Sequence, residues 1–95
     1  MPSFTVFAWD VAKAEANERK HGVGFEEATS AMLDPHARLA DDPFHSVGEA
    51  RFILLGMSAR QRVLVVCHCY REEEHVIRII SARKASPGEA TSYFR

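Results

Sequence analysis

Residues 51–84 read RFILLGMSARQRVLVVCHCYREEEHVIRIISARK, and this stretch decides the fold. It holds three apolar runs, 51–57, 62–70 and 75–82, rich in Val, Ile, Leu and Phe. Such side chains suit the pleated, half-buried surface of a strand. The polar segments between them, 58–61 and 71–74, have room only for tight turns. The three runs therefore read as an antiparallel meander.

Toward the N-terminus, residues 4–9 (FTVFAW) read as a first strand. Asp10 follows as an N-cap, because a short carboxylate can accept from the free amides of a first helical turn. A helix over 11–20 is built from Ala, Lys, Glu and Arg, and His21-Gly22 closes it with Gly22 at a left-handed C′ position. Gly24 opens a second helix over 25–32, with Glu26 and Glu27 in the first turn where the macrodipole favours acids. Leu33-Asp34-Pro35 ends it, since the residue before a proline is pushed out of the helical region. A short edge strand is expected over 37–40, then a loop from Asp41 to Gly48. At the other end, Ser86-Pro87-Gly88-Glu89 is a capping box with proline at N1, so a short last helix runs toward Arg95. The order β-α-α, then a mainly antiparallel sheet and a short C-terminal helix, defines an α+β fold. Residues 1–95 form a single domain.

Composition agrees with a folded domain. Hydrophobic residues make up 46% of the chain and charged residues 26%, too apolar a balance for a disordered tail. A net charge of −1 excludes a protein that holds nucleic acid by bulk electrostatics. The charges are uneven, however. Residues 26–49 carry six acids and one base, Arg38, whereas residues 51–95 carry eight bases and four acids. Such asymmetry marks an anion site beside a surface for a cationic partner, or simply a mixed solvated surface.

Cys67 and Cys69 are two apart in a strand, so their Cα atoms lie about 6.5–7 Å apart on one face. That is poor geometry for a disulfide, and the alternation turns His68 away from both thiols. Buried strand cysteines are expected rather than a metal site. With no basic start and no apolar run long enough to cross a bilayer, a reducing, cytoplasmic setting without membrane contact is expected.

Two groups of residues carry chemistry. On the first helix, Lys13, Asn17, Lys20 and His21 fall on one broad face, where an imidazole beside ammonium groups suits acid–base work next to a phosphate. The plain alternative is a solvated face with a C-terminal histidine favoured by the dipole. In the strands, Arg51 and Arg78 sit in or beside apolar runs, and Arg83 follows closely. Arginine is costly to bury unless it is paired, so each either meets a carboxylate such as Glu49 or faces a concave site for a phosphate. His36 and His45, among Asp34, Asp41 and Asp42, lack a recognisable ligand spacing and read as a solvated loop. No nucleotide-binding glycine loop, HExxH or CxxC is present.

With these residues in view, the chain resembles the BrnT family of toxins from type II toxin–antitoxin systems. The shared pattern starts with Phe7-Ala8-Trp9-Asp10, Lys13 and Asn17, and continues through Lys20-His21-Gly22-Val23 and Phe25-Glu26-Glu27-Ala28. Further on come Asp34-Pro35, Asp42-Pro43, His45-Ser46, Gly48-Glu49 and Arg51, then Ile77-Arg78-Ile79-Ile80-Ser81-Ala82-Arg83, with Tyr93 near the end. Gly24 departs from the family's usual Ser or Thr cap, and the C-terminal stretch is less basic than usual.

The resemblance implies a RelE-like ribonuclease fold, a curved sheet against two helices. It also implies RNA cleavage without metal or other cofactor, in which the 2′-hydroxyl attacks the adjacent phosphate. On that template His21 is the general acid or base, with Glu49 as the alternative base. Lys20, Arg51, Arg78 and Arg83 would hold the phosphate, with Lys13 and Tyr93 at the rim. The implied partner is a small ribbon-helix-helix antitoxin of the BrnA type, forming a hetero-oligomer that contacts operator DNA only as the complex. The alternative function is a non-enzymatic module that binds the antitoxin and acts as co-repressor.

Overall fold

The structure, a computed structural model, describes residues 6–73 and 75–95. The parts of the expected first strand at residues 4 and 5, and of the last turn at residue 74, lie outside them. In chain order the elements are β1 (Val6–Ala8), α1 (Val11–His21), α2 (Phe25–Met32), β2 (Arg38–Asp41), β3 (Phe52–Met57), β4 (Val63–Arg71), β5 (Val76–Lys84) and α3 (Pro87–Tyr93). The expected α+β architecture is present. Between β2 and β3 there is also a single 3-10 turn, Pro43–His45, where the sequence reading had only loop.

The helix ends form as their residues dictate. The Asp10 carboxylate accepts from the Lys13 amide at 3.0 Å, and Gly22 closes α1 at φ 70°. Ser86 and Glu89 complete the capping box of α3.

The sheet runs β1-β5-β4-β3-β2, with β1 parallel to β5 and all other pairs antiparallel. α1 packs on β5, and α2 lies across β3, β4 and β5. Alternation sends Leu54, Leu64, Val66, Ile79 and Ala82 to the helix side, where they meet Val23, Phe25, Ala28 and Ala31. Each large side chain buried there contributes roughly 1.5–3 kcal/mol. Trp9 closes this layer edge-on to Phe25, with ring centroids 5.9 Å apart. Small residues let α2 settle close to the sheet. A Cβ added at Gly56 would stand 2.5 Å from the Ala31 carbonyl oxygen, so only glycine admits the helix backbone here.

Asn17 corrects one expectation. It is buried, and its side-chain amide donates to the carbonyls of Val23 (3.0 Å) and Ala82 (2.8 Å) while its oxygen accepts from the Ala82 amide (3.1 Å). β1 pairs with β5 only as far as Arg78. Beyond that point Asn17 stands in for the missing strand and satisfies the outer edge of β5. It is a structural tie, not part of a solvated stripe.

The other sheet face is covered only in part. α3 crosses it near Ile53, Leu55 and Val65, leaving the remainder open.

Candidate active site

The open face owes its chemistry to one irregularity. Cys69 pairs with Arg78, His68 with Ile79 and Cys67 with Ser81, so Ile80 has no partner on β4. This bulge shifts the alternation of β5 by one residue. Arg78 therefore shares the open face with Ser81 and Arg83. Across the ladder, Val65, Cys67 and Cys69 face the same way, and Arg51 joins them at the entry to β3.

Two adjoining hollows result, sharing Arg51 and Ile80. The first is lined by Asp10, Lys13, Glu49, Arg51, Arg71 and Arg78, with Cys69 at its floor. The second contains Asp42, His45, Arg51, Cys67, Ser81 and Arg83. The choice between paired and free arginines resolves residue by residue. Arg83 forks onto Glu89, with N–O distances of 2.8 and 2.9 Å. The pairing, reinforced by the Ser86 amide and hydroxyl, holds the Glu89 carboxyl at about 2. Glu49 pairs with Arg71 at 3.1 Å rather than with Arg51. Among the described residues, the guanidinium groups of Arg51 and Arg78 form no ion pair. Two guanidinium groups with no bonded carboxylate thus share one hollow, with Lys13, Asp10 and Glu49 on its wall.

The 42–46 segment is tied to the start of β3. The Asp42 amide donates to the Arg51 carbonyl at 2.9 Å, and the Arg51 amide donates to Ser46 Oγ at 2.9 Å. Ser46 Oγ in turn donates to the Asp42 carbonyl at 2.6 Å. Nδ1 of His45 lies 2.8 and 3.0 Å from the two carboxylate oxygens of buried Asp42. The sequence reading took this segment for solvated loop. The one available signal was the Asp-Pro-x-His spacing, which a 3-10 turn brings onto one edge.

The remaining expected site residues lie elsewhere. Lys20 is exposed and His21 half-buried at the far end of α1. Eight residues separate His21 from Lys13, about 12 Å along the helix. Neither lines the two hollows. Tyr93 donates to Asp34, whose carboxylate also accepts from the amides of Met57 (2.7 Å) and His36 (2.9 Å). Although burial opposes it, these bonds together pull the Asp34 carboxyl below its ordinary range. Tyr93 is placed to anchor α3.

His68 is fully buried against Phe52 and Tyr70, on the face turned away from both thiols as the alternation predicts. Cys69 is buried, whereas Cys67 is only half-buried and lines the second hollow. Among the described residues, no three His, Cys, Asp or Glu side chains are grouped to hold a metal ion. No helix of the described residues is long and apolar enough to cross a membrane.

A second polar cluster was missed altogether. Glu27 on α2 binds Arg62, accepts from Ser58 Oγ at 2.7 Å and stands 3.6 Å from Arg60. Arg62 and Ser58 hold its carboxyl below the ordinary range despite burial. This cluster fixes α2 to the β3–β4 turn.

Comparison with known proteins places this architecture. A family model described as "Ribonuclease toxin, BrnT, of type II toxin-antitoxin system" matches residues 9–89. Among solved structures, the 1.1 Å crystal structure of the Brucella abortus ribonuclease toxin BrnT superposes with a TM-score of 0.66 at 20% identity. The match covers 87% of this chain and 97% of that one. No curated protein matches the chain. A small α+β domain with two unpaired arginines on an open sheet face thus falls among the ribonuclease toxins of type II toxin–antitoxin systems. The chain belongs to the BrnT family.

Proposed function

We propose that this chain is a metal-independent endoribonuclease that inhibits translation and growth by cutting RNA in the cytoplasm. The observation that carries the reading is the pair Arg51 and Arg78, two guanidinium groups in one hollow with no carboxylate bonded to either. Half-buried guanidinium groups with no bonded carboxylate keep their donors free, and a phosphodiester offers an anion that two of them can fork. Charge on the phosphate oxygens grows during displacement, and fixed cations stabilise that growth without a metal. Arg83 extends the grip once phosphate displaces Glu89, and Lys13 guides the strand at the rim. Glu49 keeps Arg71 beside the hollow. In this reading Lys20, His21 and Tyr93 have no part in the chemistry.

A type II toxin implies a neutralising partner, and we assign that role to a small ribbon-helix-helix antitoxin of the BrnA type. Phe44 and Val47 stand 90% and 91% exposed beside the second hollow, apolar rim groups that a covering protein would bury. Operator DNA would be contacted only through that complex.

The test is cleavage of RNA by the purified chain in excess EDTA, with Arg78→Ala beside it. The expected result is cleavage by the wild type and none by the folded variant. Undiminished cleavage by Arg78→Ala, or a requirement for divalent metal, overturns the reading. Induced expression with and without the partner then checks growth inhibition.

A further inference from the structure

The segment Asp42-Pro43-Phe44-His45-Ser46 holds the one histidine on the open face that the ribonuclease reading leaves unused. In a 3-10 turn, side chains three apart eclipse, and here Pro43 starts the turn with Asp42 as its cap. The spacing alone therefore stacks the carboxylate under the imidazole. Asp42 is 5% exposed and its position is fixed by a backbone bond to Arg51, whereas the His45 side chain is 68% exposed. With a carboxylate against Nδ1, that nitrogen carries the proton and Nε2 presents its lone pair. Among the described residues, Nε2 makes no hydrogen bond. An aspartate that orients a histidine at the edge of a hollow holding two arginines is the arrangement general-base catalysis needs.

We propose that His45, oriented by Asp42, takes the proton from the attacking 2′-hydroxyl during RNA cleavage; this assignment rests on the ribonuclease reading above. The 2′-oxygen bonds to phosphorus as its proton passes to Nε2. The bond from phosphorus to the 5′-oxygen breaks, and that oxygen leaves with the bonding pair and takes a proton from water. The hydroxide so formed removes the proton from His45. The products are a 2′,3′-cyclic phosphate and a 5′-hydroxyl, and the enzyme returns to its starting state. Arg51 and Arg83, which line the same hollow, hold the phosphate oxygens meanwhile.

The charged and titratable groups facing His45 are Asp42 in its own turn, Arg51 just before β3, Cys67 from β4 and Arg83 from β5. Burial and the Asp42 carboxylate push the Cys67 thiol up, so the thiol stays protonated and does not compete as base. Asp42 is a positioning residue, because it touches the imidazole and not the substrate.

The experiment is single-turnover cleavage of an RNA oligonucleotide in EDTA by wild type, His45→Gln, Asp42→Asn and Arg78→Ala. Affinity is measured separately with the uncleavable 2′-deoxy version of the same strand. Glutamine still donates to Asp42 but cannot accept the proton. His45→Gln should cut roughly 10²–10⁴-fold more slowly at unchanged affinity. Asp42→Asn should lower the single-turnover rate and spare the affinity. If folded His45→Gln cuts within a few-fold of wild type while Arg78→Ala does not cut, the assignment fails and the ribonuclease reading stands. A parallel fall in affinity and rate also defeats it, since that marks a binding role. If the wild type does not cleave at all, both readings fall together.

Discussion

Arg78 and Arg83 stand on the same face of β5 although five positions separate them, because Ile80 between them has no partner on β4. In a regular strand an odd separation points two side chains to opposite faces. One unpaired residue thus decides whether Arg78 faces phosphate or the packed underside of α1.

Deleting Ile80 should therefore remove the bulge and keep the faces. With the extra residue gone, Arg78, Ile79, Ser81, Ala82 and Arg83 pair in unbroken alternation with Cys69, His68, Cys67, Val66 and Val65, so both arginines stay on the open face. The deletion variant should remain folded, with a urea midpoint little below that of the wild type. A variant that fails to fold would show that the added twist of the bulge, and not the pairing alone, holds β5 in place.

Asn17 invites a second measurement. Its replacement by Ala leaves two carbonyls and one amide, all buried, without their partner. At about 1–3 kcal/mol for each unsatisfied group, partly relieved by water entering beside β5, the expected loss is roughly 3 kcal/mol. Asn17→Asp should be at least as damaging, because a carboxylate cannot donate to the carbonyls of Val23 and Ala82. Urea unfolding of both variants checks the order. A loss below about 0.5 kcal/mol in Asn17→Ala would return this residue to the solvated face.

The elements were legible because their signals are local. Apolar runs between short polar turns marked β3, β4 and β5, capping residues marked α1 and α3, and Pro35 marked the end of α2. His68 and the two cysteines took the faces that period 2 assigns. The bulge was not legible, since Ile77-Arg78-Ile79-Ile80-Ser81 reads as one unbroken strand and no glycine flags the extra residue. Asn17 misled for a related reason: a polar residue at helical spacing looks solvated until a neighbouring strand edge needs a partner. Arg51 and Arg78 were found by the cost of burying charge and do share a hollow, where Lys13 from the face of α1 joins them. His21 and Lys20 were grouped with them only by helix periodicity, which orders a face without fixing its distance from the sheet. The Asp42–His45 pair was hidden because three-residue spacing carries meaning only once the 3-10 turn is known.

Glu89 and Arg83 connect stability to ligand affinity. The Glu89 carboxyl is lowered from 4.5 to about 2, mainly by the Arg83 fork and then by Ser86. A depressed carboxyl contributes stability that is complete above its unfolded value and lost as pH falls through the folded one. The pair's contribution should therefore fade between about pH 4.5 and pH 2, and it is modest because both groups are partly solvated. Glu89→Gln keeps a capping oxygen for the Ser86 amide but removes the charge and one of the two oxygens that hold Arg83. Affinity for the uncleavable RNA should rise several-fold while α3 remains folded, as measured by fluorescence anisotropy and circular dichroism. Unchanged or weaker binding would mean that Arg83 serves α3 and not the phosphate.

His68 sets a second pH window, above that of Glu89. Its ring is fully buried, and burial lowers its affinity for a proton, although the Val66 carbonyl works the other way. The unfolded chain therefore binds a proton near pH 6.5 that the folded chain refuses. As pH falls below that value, stability should fall by at most about 1.4 kcal/mol per pH unit, until the folded ring itself protonates. His68→Phe places a ring of similar size between Phe52 and Tyr70 and removes the titration. It gives up the 3.3 Å contact to the Tyr70 hydroxyl, so the variant should be somewhat weaker at pH 8. Its stability should nonetheless decline less between pH 7 and pH 5 than the wild type's. The loss below pH 4.5, which belongs to carboxylates such as Glu89 and Glu27, should persist in both. Urea midpoints at pH 8, 7, 6 and 5 separate the two windows, and parallel curves for the two proteins would show that His68 is not the group that titrates.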